Sequence, residues 1–389
     1  MKRISEIAMA VCFLGLLAAG LITTVTREPE LISFWENRML AAFPEYSPQS
    51  VGDGSYVTQV EAYLSDHAAA RTTLLKTKTR MDLALRRPVV NEVVVTENSL
   101  LPYLPYDTTP LEMLDVWAGA MADNLKRISG TVSEYGGYFC YVAVPCQSVS
   151  RSGEYPWYLN SQEQFNRRKG DALAQAMDER GVAFLDVQTA LGDTAAYSSR
   201  IDNHYSMEGA FLTYRLILEK AAADTGLKFP ILDRDDFEWV TLPQDYMGSR
   251  ERKLLDLEQR DEQLTILLPK REAPYTRADN GTPNEAFVYD LPAAGAGQVS
   301  YTMYMGGDIA NTVIDTGREE LPTILIYGDS FTNPVECLAY LSFDETHSLD
   351  LRHYHEMGLE DYIRQLQPDV VVCIRDYDFL LVPEGNGGN

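Results

Sequence analysis

From Ile7 to Val25 the chain runs nineteen residues, IAMAVCFLGLLAAGLITTV, without a charged side chain. As a helix that run is about 28 Å long, close to the hydrocarbon thickness of a bilayer. Lys2 and Arg3 precede it and Arg27-Glu28-Pro29-Glu30 follow it. The positive-inside bias therefore predicts a short cytoplasmic tail over residues 1–6, a single-pass span over 7–25, and an extracytoplasmic remainder. Ala18-Ala19-Gly20 offers the alternative of a cleavage site and a secreted product. Apolar residues continue past that point, which favours the anchor. Cys12 sits inside the run and not at its end, which is the wrong place for a lipid-modified cysteine.

The remainder is acidic. Lys and Arg total 33 against 57 Asp and Glu, a formal charge of −24. No basic block is read beyond the first residues, so nucleic acid is not an expected partner. Beyond Cys12 the cysteines are Cys140, Cys146, Cys337 and Cys373, with no CxxC pair and no Cys/His cluster at ligand spacing. All four lie in or beside apolar segments, so buried free thiols are expected, and neither a metal nor a cofactor is.

Periodicity organises the chain beyond the apolar run. Residues 26–89 read as a linker and an amphipathic helix, with Val57, Val60, Tyr63 and Leu64 at helical spacing. From about residue 90 to 389 strands alternate with helices. Asn91–Leu101 is β-branched, Leu111–Val132 helical and Tyr138–Val144 a strand closed by Pro145. Ser161–Arg180 is a helix stopped by Gly181, Val182–Val187 a strand and Met207–Ala222 a helix. The pattern resumes with strands at Thr323–Tyr327, Thr346–Leu351 and Val370–Ile374, and helices at Pro334–Leu341 and Leu359–Leu366. Alternation of this kind predicts an α/β domain with a largely parallel sheet flanked by helices. Residues from about 228 to 315 break it with charged turns, a Gly/Pro/Asn-rich stretch over Arg271–Glu285 and short β-rich pieces around Thr265–Leu268 and Gln298–Met305. They read as a β-rich insertion decorating the sheet.

The sharpest local feature is ILIYGDSFTNP, where an apolar strand runs into Gly328-Asp329-Ser330 just before a helix. Such a turn stands at the carboxyl edge of an α/β sheet, where ligands bind and where helix-start N–H groups can receive an oxyanion. The tripeptide alone is equally a turn with a capping side chain. A serine nucleophile needs a base, and the histidines are His67, His204, His347, His353 and His355. His204 lies in SSRIDNHYSMEGAF with Asp202 two residues before it, a spacing that lets a carboxylate orient the imidazole. The competing reading makes Asp202 or Ser206 a helix cap and His204 a loop residue. His67, His353 and His355 fit surface or packing roles and stay in reserve as candidate bases.

Taken in order, several segments resemble the SGNH-hydrolase-like proteins related to the alginate O-acetylation factors, including the group named for a DHHW motif. They are Glu36-Asn37-Arg38 with Pro44, the Asp66 to Arg71 helix end, Asp202-Asn203-His204-Tyr205 before Gly209-Ala210-Phe211, Met305-Gly306-Gly307, Gly328-Asp329-Ser330 and Asp350-Leu351-Arg352. The resemblance spans most of residues 34–382. It implies an SGNH-hydrolase-like fold with Ser330 as nucleophile, His204 as base and Asp202 as its orienting partner, the same three residues that the local patterns single out. Asn203 and Tyr205 depart from it, since His and Trp usually stand there, which affects pocket shape and not the triad. The oxyanion donors it leads us to expect are the Ser330 N–H with Asn333, or Gly306 and Gly307.

The resemblance also implies a polysaccharide substrate, with acetyl transfer to it or removal from it. The alternative is a glycan-binding or assembly protein that keeps the fold without the chemistry. The two differ in one distance, since catalysis requires His204 within hydrogen-bond reach of Ser330. A third reading, compatible with either, makes the chain the membrane-bound partner of an integral-membrane acyltransferase.

Overall fold

Apolar runs without alternation belong in the middle of a parallel sheet covered on both faces, and three such runs lie side by side here. They are β1 (Tyr138–Val144), β6 (Ile324–Gly328) and β8 (Val370–Asp376). Every residue of β6 and β8 is buried, and β1 is buried from Phe139 onward. With β2 (Ala183–Asp186), β3 (Thr276–Asp279), β4 (Thr282–Pro283), β5 (Asn311–Asp315) and β7 (Glu345–Asp350) they form one eight-stranded sheet, ordered β4-β3-β5-β7-β6-β8-β1-β2. From β7 to β2 every pairing is parallel, and the β4, β3 and β5 side continues the sheet antiparallel.

This computed structural model describes residues 2–36, 38–106, 109–293 and 295–387. Met1, part of the basic N-terminus, and Asn37, part of one piece of the family resemblance, lie outside the described residues. The chain divides into two compact units, one of residues 1–93 with 251–259 and one of 94–250 with 260–389.

In the first unit, helix α1 (Lys2–Thr26) contains Ile4–Thr26, which is long and apolar enough to cross a membrane and exposes its apolar side chains. After a short helical turn over Pro48–Gly52 come α2 (Ser55–Asp66) and α3 (Arg71–Ala84), separated by Ala70 in the left-handed region at φ 57°. Here the N-terminal pieces of the family resemblance meet. The Arg38 guanidinium donates to both Asp66 oxygens at 2.8 and 2.5 Å, the Ala41 N–H adds 2.9 Å to the same carboxylate, and Arg71 pairs with Glu36 at 2.8 Å. The Ala69 N–H donates to Thr24 Oγ1 at 3.0 Å, tying the α2–α3 turn to the end of the apolar helix. His67 closes α2 and bonds the Ala41 carbonyl, a packing role.

In the second unit, α4 (Glu112–Ser133) buries Leu114, Ala118, Met121, Leu125, Ile128 and Val132, the spacing of one helical face. It packs on α5 (Glu163–Arg180) and on α8 (Leu359–Leu366), while α6 (Met207–Thr225) packs on α7 (Asn333–Ala339). Gly181 ends α5 in the left-handed conformation that a residue with Cβ adopts only at a cost. The expected insertion is more integrated than a decoration. Phe237–Thr241 pairs with Thr265–Pro269 apart from the main sheet, but β3, β4 and β5 are strands of that sheet. Residues 251–259 belong to the first unit. Cys140, Cys146, Cys337 and Cys373 are buried free thiols.

Candidate active site

Strand β6 lies between β7 and β8, so the chain leaves it toward one side and returns on the other. A crevice opens at the carboxyl end of a strand placed this way. Ser330 stands there, two residues past the end of β6 and three before α7. Gly328 ends the strand opposite Ile374 of β8, where any Cβ would collide with the Ile374 carbonyl oxygen. Asp329 is buried and organises the turn. Its Oδ1 accepts the Phe331 N–H at 3.0 Å, its carbonyl the Thr332 N–H at 2.9 Å, and its Oδ2 lies 3.4 Å from Arg375 Nη1.

His204 comes from the loop that precedes α6. Ser206 caps that helix, its Oγ accepting the Gly209 N–H at 3.3 Å, and Tyr205 reaches across to donate its O–H to the Phe331 carbonyl. The imidazole Nε2 is 2.7 Å from Ser330 Oγ and Nδ1 is 2.5 Å from Asp202 Oδ1. An ionised carboxylate only accepts, so Nδ1 carries the ring proton and Nε2 accepts from the Ser330 hydroxyl. Asp202 is 3% exposed. Its second oxygen takes the Ser249 N–H at 2.6 Å and its first also takes the His204 N–H at 3.2 Å. Burial pushes the Asp202 carboxyl up, but the charge and hydrogen bond of His204 and the bonds from Ser249 outweigh it and hold it well below the usual carboxylate range. Asp202 is therefore ionised wherever His204 can work as a base.

The structure brings Ser330, His204 and Asp202 into one hydrogen-bonded line. The remaining candidates have their hydrogen bonds partly committed elsewhere. Asn333 is the first residue of α7, is buried, and donates from Nδ2 to Asp308 Oδ1 at 3.2 Å. Gly306 and Gly307, at φ 84° and 98°, reverse the chain just before Asp308, and the Gly307 N–H is bonded to the Tyr304 carbonyl at 3.1 Å. Asp350, at the end of β7 and opposite Gly328, accepts from Arg352, which also reaches Asp308 at 2.9 Å. His347 bonds Tyr362 and Glu345, away from this line, while His353 and His355 are exposed.

Three contributors were not legible from sequence. Ser249 acts through its backbone N–H, which no side-chain pattern announces. Its approach to Asp202 depends on Gly248, where a Cβ would strike the Ile201 carbonyl. Arg375 sits in a strand that reads as core, and Tyr301 lies in the segment read as decoration. The charged pair Arg375-Asp376 closing an otherwise apolar buried strand was the one available signal.

No family model matches the chain, and no curated protein matches it. Among solved structures, Bacillus cereus PatB1 with a sulfonyl adduct is similar over 74% of this chain and 95% of its own, at 19% identity and a TM-score of 0.61. A DHHW family protein from Eubacterium siraeum is similar over 77% of this chain and 95% of its own, at 17% identity and a TM-score of 0.56. The chain shares the α/β fold of these proteins, including one from the group that its sequence resembles.

Proposed function

We propose that the chain, built on the fold of PatB1 and of a DHHW family protein, is a membrane-tethered serine O-acetyltransferase or acetylesterase acting on polysaccharide outside the membrane. One observation carries this reading: Ser330 Oγ, His204 and Asp202 lie in a single hydrogen-bonded line at the carboxyl end of the central strand. The PatB1 structure with a sulfonyl adduct is consistent with an electrophile-reactive group on this fold.

In the proposed reaction Ser330 Oγ attacks the carbonyl carbon of an acetyl ester while His204 Nε2 takes its proton. The Ser330 N–H is the proposed first oxyanion donor, because the next two N–H groups of the turn are bonded to Asp329. Asn333, through its second amide hydrogen, and Gly306 are the proposed further donors, ahead of Gly307. As the ester C–O bond breaks, imidazolium returns the proton to the leaving alcohol and the acetyl group stays on Ser330. His204 then deprotonates water or a sugar hydroxyl, which attacks the acetyl-serine; the Ser330 Oγ–acyl bond breaks, imidazolium returns the proton to Oγ, and acetate or the acetylated sugar leaves. Asp202 holds Nδ1–H throughout and offsets the imidazolium charge.

Ile4–Thr26 serves in this reading as the anchor, with Lys2 and Arg3 inside and the chain from Arg27 onward outside. An integral-membrane acyltransferase is the proposed source of the acyl group.

The test uses the full chain in detergent with 4-nitrophenyl acetate. Nitrophenol release by the wild type, abolished in Ser330→Ala and His204→Ala, is the expected result. A folded but inert wild type would overturn the reading in favour of a glycan-binding or assembly protein.

A further inference from the structure

Tyr301, from the short helical turn Tyr301–Met303 inside the expected insertion, touches both partners of the proposed proton transfer. Its ring lies flat on the His204 imidazole, centroids 3.6 Å apart and planes 8° from parallel. Phe331 lies against the same imidazole at 4.8 Å and 49°. The Tyr301 hydroxyl donates to the Ser330 carbonyl at 3.0 Å. Burial, then the neighbouring Tyr205, Tyr304 and Tyr246 and the Asp202 carboxylate, push this phenol well above its ordinary range, so it remains a donor.

We infer that Tyr301 is a positioning residue: it holds the His204 imidazole plane on the Ser330 hydroxyl and gives its π-face to the imidazolium formed when His204 takes the serine proton. The inference rests on the reading of Ser330 as nucleophile. Hydrogen bonds at Nδ1 and Nε2 fix two points of the ring but leave it free to rock about the line joining them. A second flat ring stacked on one face removes that motion, and near-attack alignment is sensitive to small misplacements. A cation formed against an aromatic face is also favoured electrostatically, whereas an aliphatic replacement offers no such face. Tyr301 exchanges no proton itself.

The groups around His204 set the sign of the pH effect. Asp202 bonds Nδ1, Ser330 bonds Nε2, and Asn203 of the same loop accepts from Arg250 at 3.3 Å. Ser249 and Tyr246 lie beyond Asp202, and Asp329 with Arg375 behind Ser330. None of these changes when Tyr301 becomes aliphatic. Loss of the π-face then destabilises imidazolium relative to imidazole, and the acidic limb of the rate profile moves to lower pH.

The experiment compares wild type, Tyr301→Phe, Tyr301→Leu and Tyr301→Met as full chains in detergent, with thermal unfolding as the check on folding. It reads kcat and KM for 4-nitrophenyl acetate across pH, and the rate at which a sulfonyl fluoride modifies Ser330. In the aliphatic variants kcat and the modification rate should fall on the order of tenfold with KM little changed. Their acidic limb should move down by roughly half a pH unit, the equivalent of one modest cation–π contact. Tyr301→Phe, which keeps the stack, should restore most of the rate and the wild-type limb. Unchanged rates in folded aliphatic variants would overturn the inference, as would a phenylalanine variant as impaired as they are. A wild type unmodified at Ser330 would instead remove the nucleophile on which the inference rests.

Discussion

Asp202 accepts three hydrogen bonds with one carboxylate, from the ring and the backbone N–H of His204 and from the Ser249 N–H. Replacing it with Asn keeps the shape but lets an amide N–H face Nδ1, which pushes the ring proton onto Nε2 and removes the base. Asp202→Asn should therefore lower kcat by about three to four orders of magnitude with KM little affected, measured on 4-nitrophenyl acetate. The same residue gives a stability test with a defined sign. Its folded-state pKa lies below its unfolded value, so its contribution is fully present above about pH 4 and is lost as pH falls below that. Wild type should lose stability more steeply than Asp202→Asn as pH is lowered from about 4, as read by denaturant midpoints. The triad could be read from sequence because each member carries a local signature, a strand-to-helix turn for Ser330 and a carboxylate two residues before His204. Tyr301 carried none, because its stacking partner lies 97 positions away and only the folded insertion brings the two rings together.

Elements that bury an unbroken apolar run announced themselves; those that depend on a neighbour did not. Tyr138–Val144 is bounded as its residues suggested, and the helix and strands around the Ser330 turn lie within about two residues of expectation. Strand β3, Thr-Arg-Ala-Asp, was hidden in a Gly/Pro/Asn-rich stretch because its pairing with β5 stabilises it and not its own composition. The break between α2 and α3 has no local breaker either, and only the family resemblance marked a helix end over Asp66 to Arg71. Ala70 turns left-handed in a run, His67–Arg71, that holds neither Gly nor Pro. Gly328 shows the opposite case, a small residue whose necessity is steric. A methyl group there meets the Ile374 carbonyl of the adjacent strand, and the backbone on both sides is buried. Gly328→Ala should cost about 3 kcal/mol of stability and displace the Ser330 turn. The expected outcome is a lower thermal midpoint together with lost esterase activity; an unchanged midpoint would show that β6 and β8 can separate without penalty.

For the whole chain, charge and thiol chemistry bear on the same question as the apolar helix, namely which side of a membrane the chain beyond that helix occupies. The formal charge of −24 does not by itself decide that side, because orientation follows the Lys and Arg close to the span and not the net charge of a long exported segment. Cysteines suited to an oxidising compartment are either paired or protected, and burial pushes the Cys140 thiol up to about 12 and also raises the Cys146, Cys337 and Cys373 thiols well above their ordinary range. Protected thiols stay reduced by inaccessibility, so they are compatible with export without disulfides. The decisive quantity is topology. In a bacterial host, protease added to intact spheroplasts should digest the chain from about Arg27 onward and leave only the apolar helix with its short tail protected, whereas inverted vesicles should shield everything from about Arg27 onward. The full chain should also stay in the membrane pellet through an alkaline carbonate wash, and its N-terminal residue should remain Met1. A new N-terminus near Gly20 would convert the anchor into a removed signal and the protein into a secreted one. Units protected in spheroplasts but digested in inverted vesicles would place Ser330 in the cytoplasm and sink the assignment of an exported glycan as substrate.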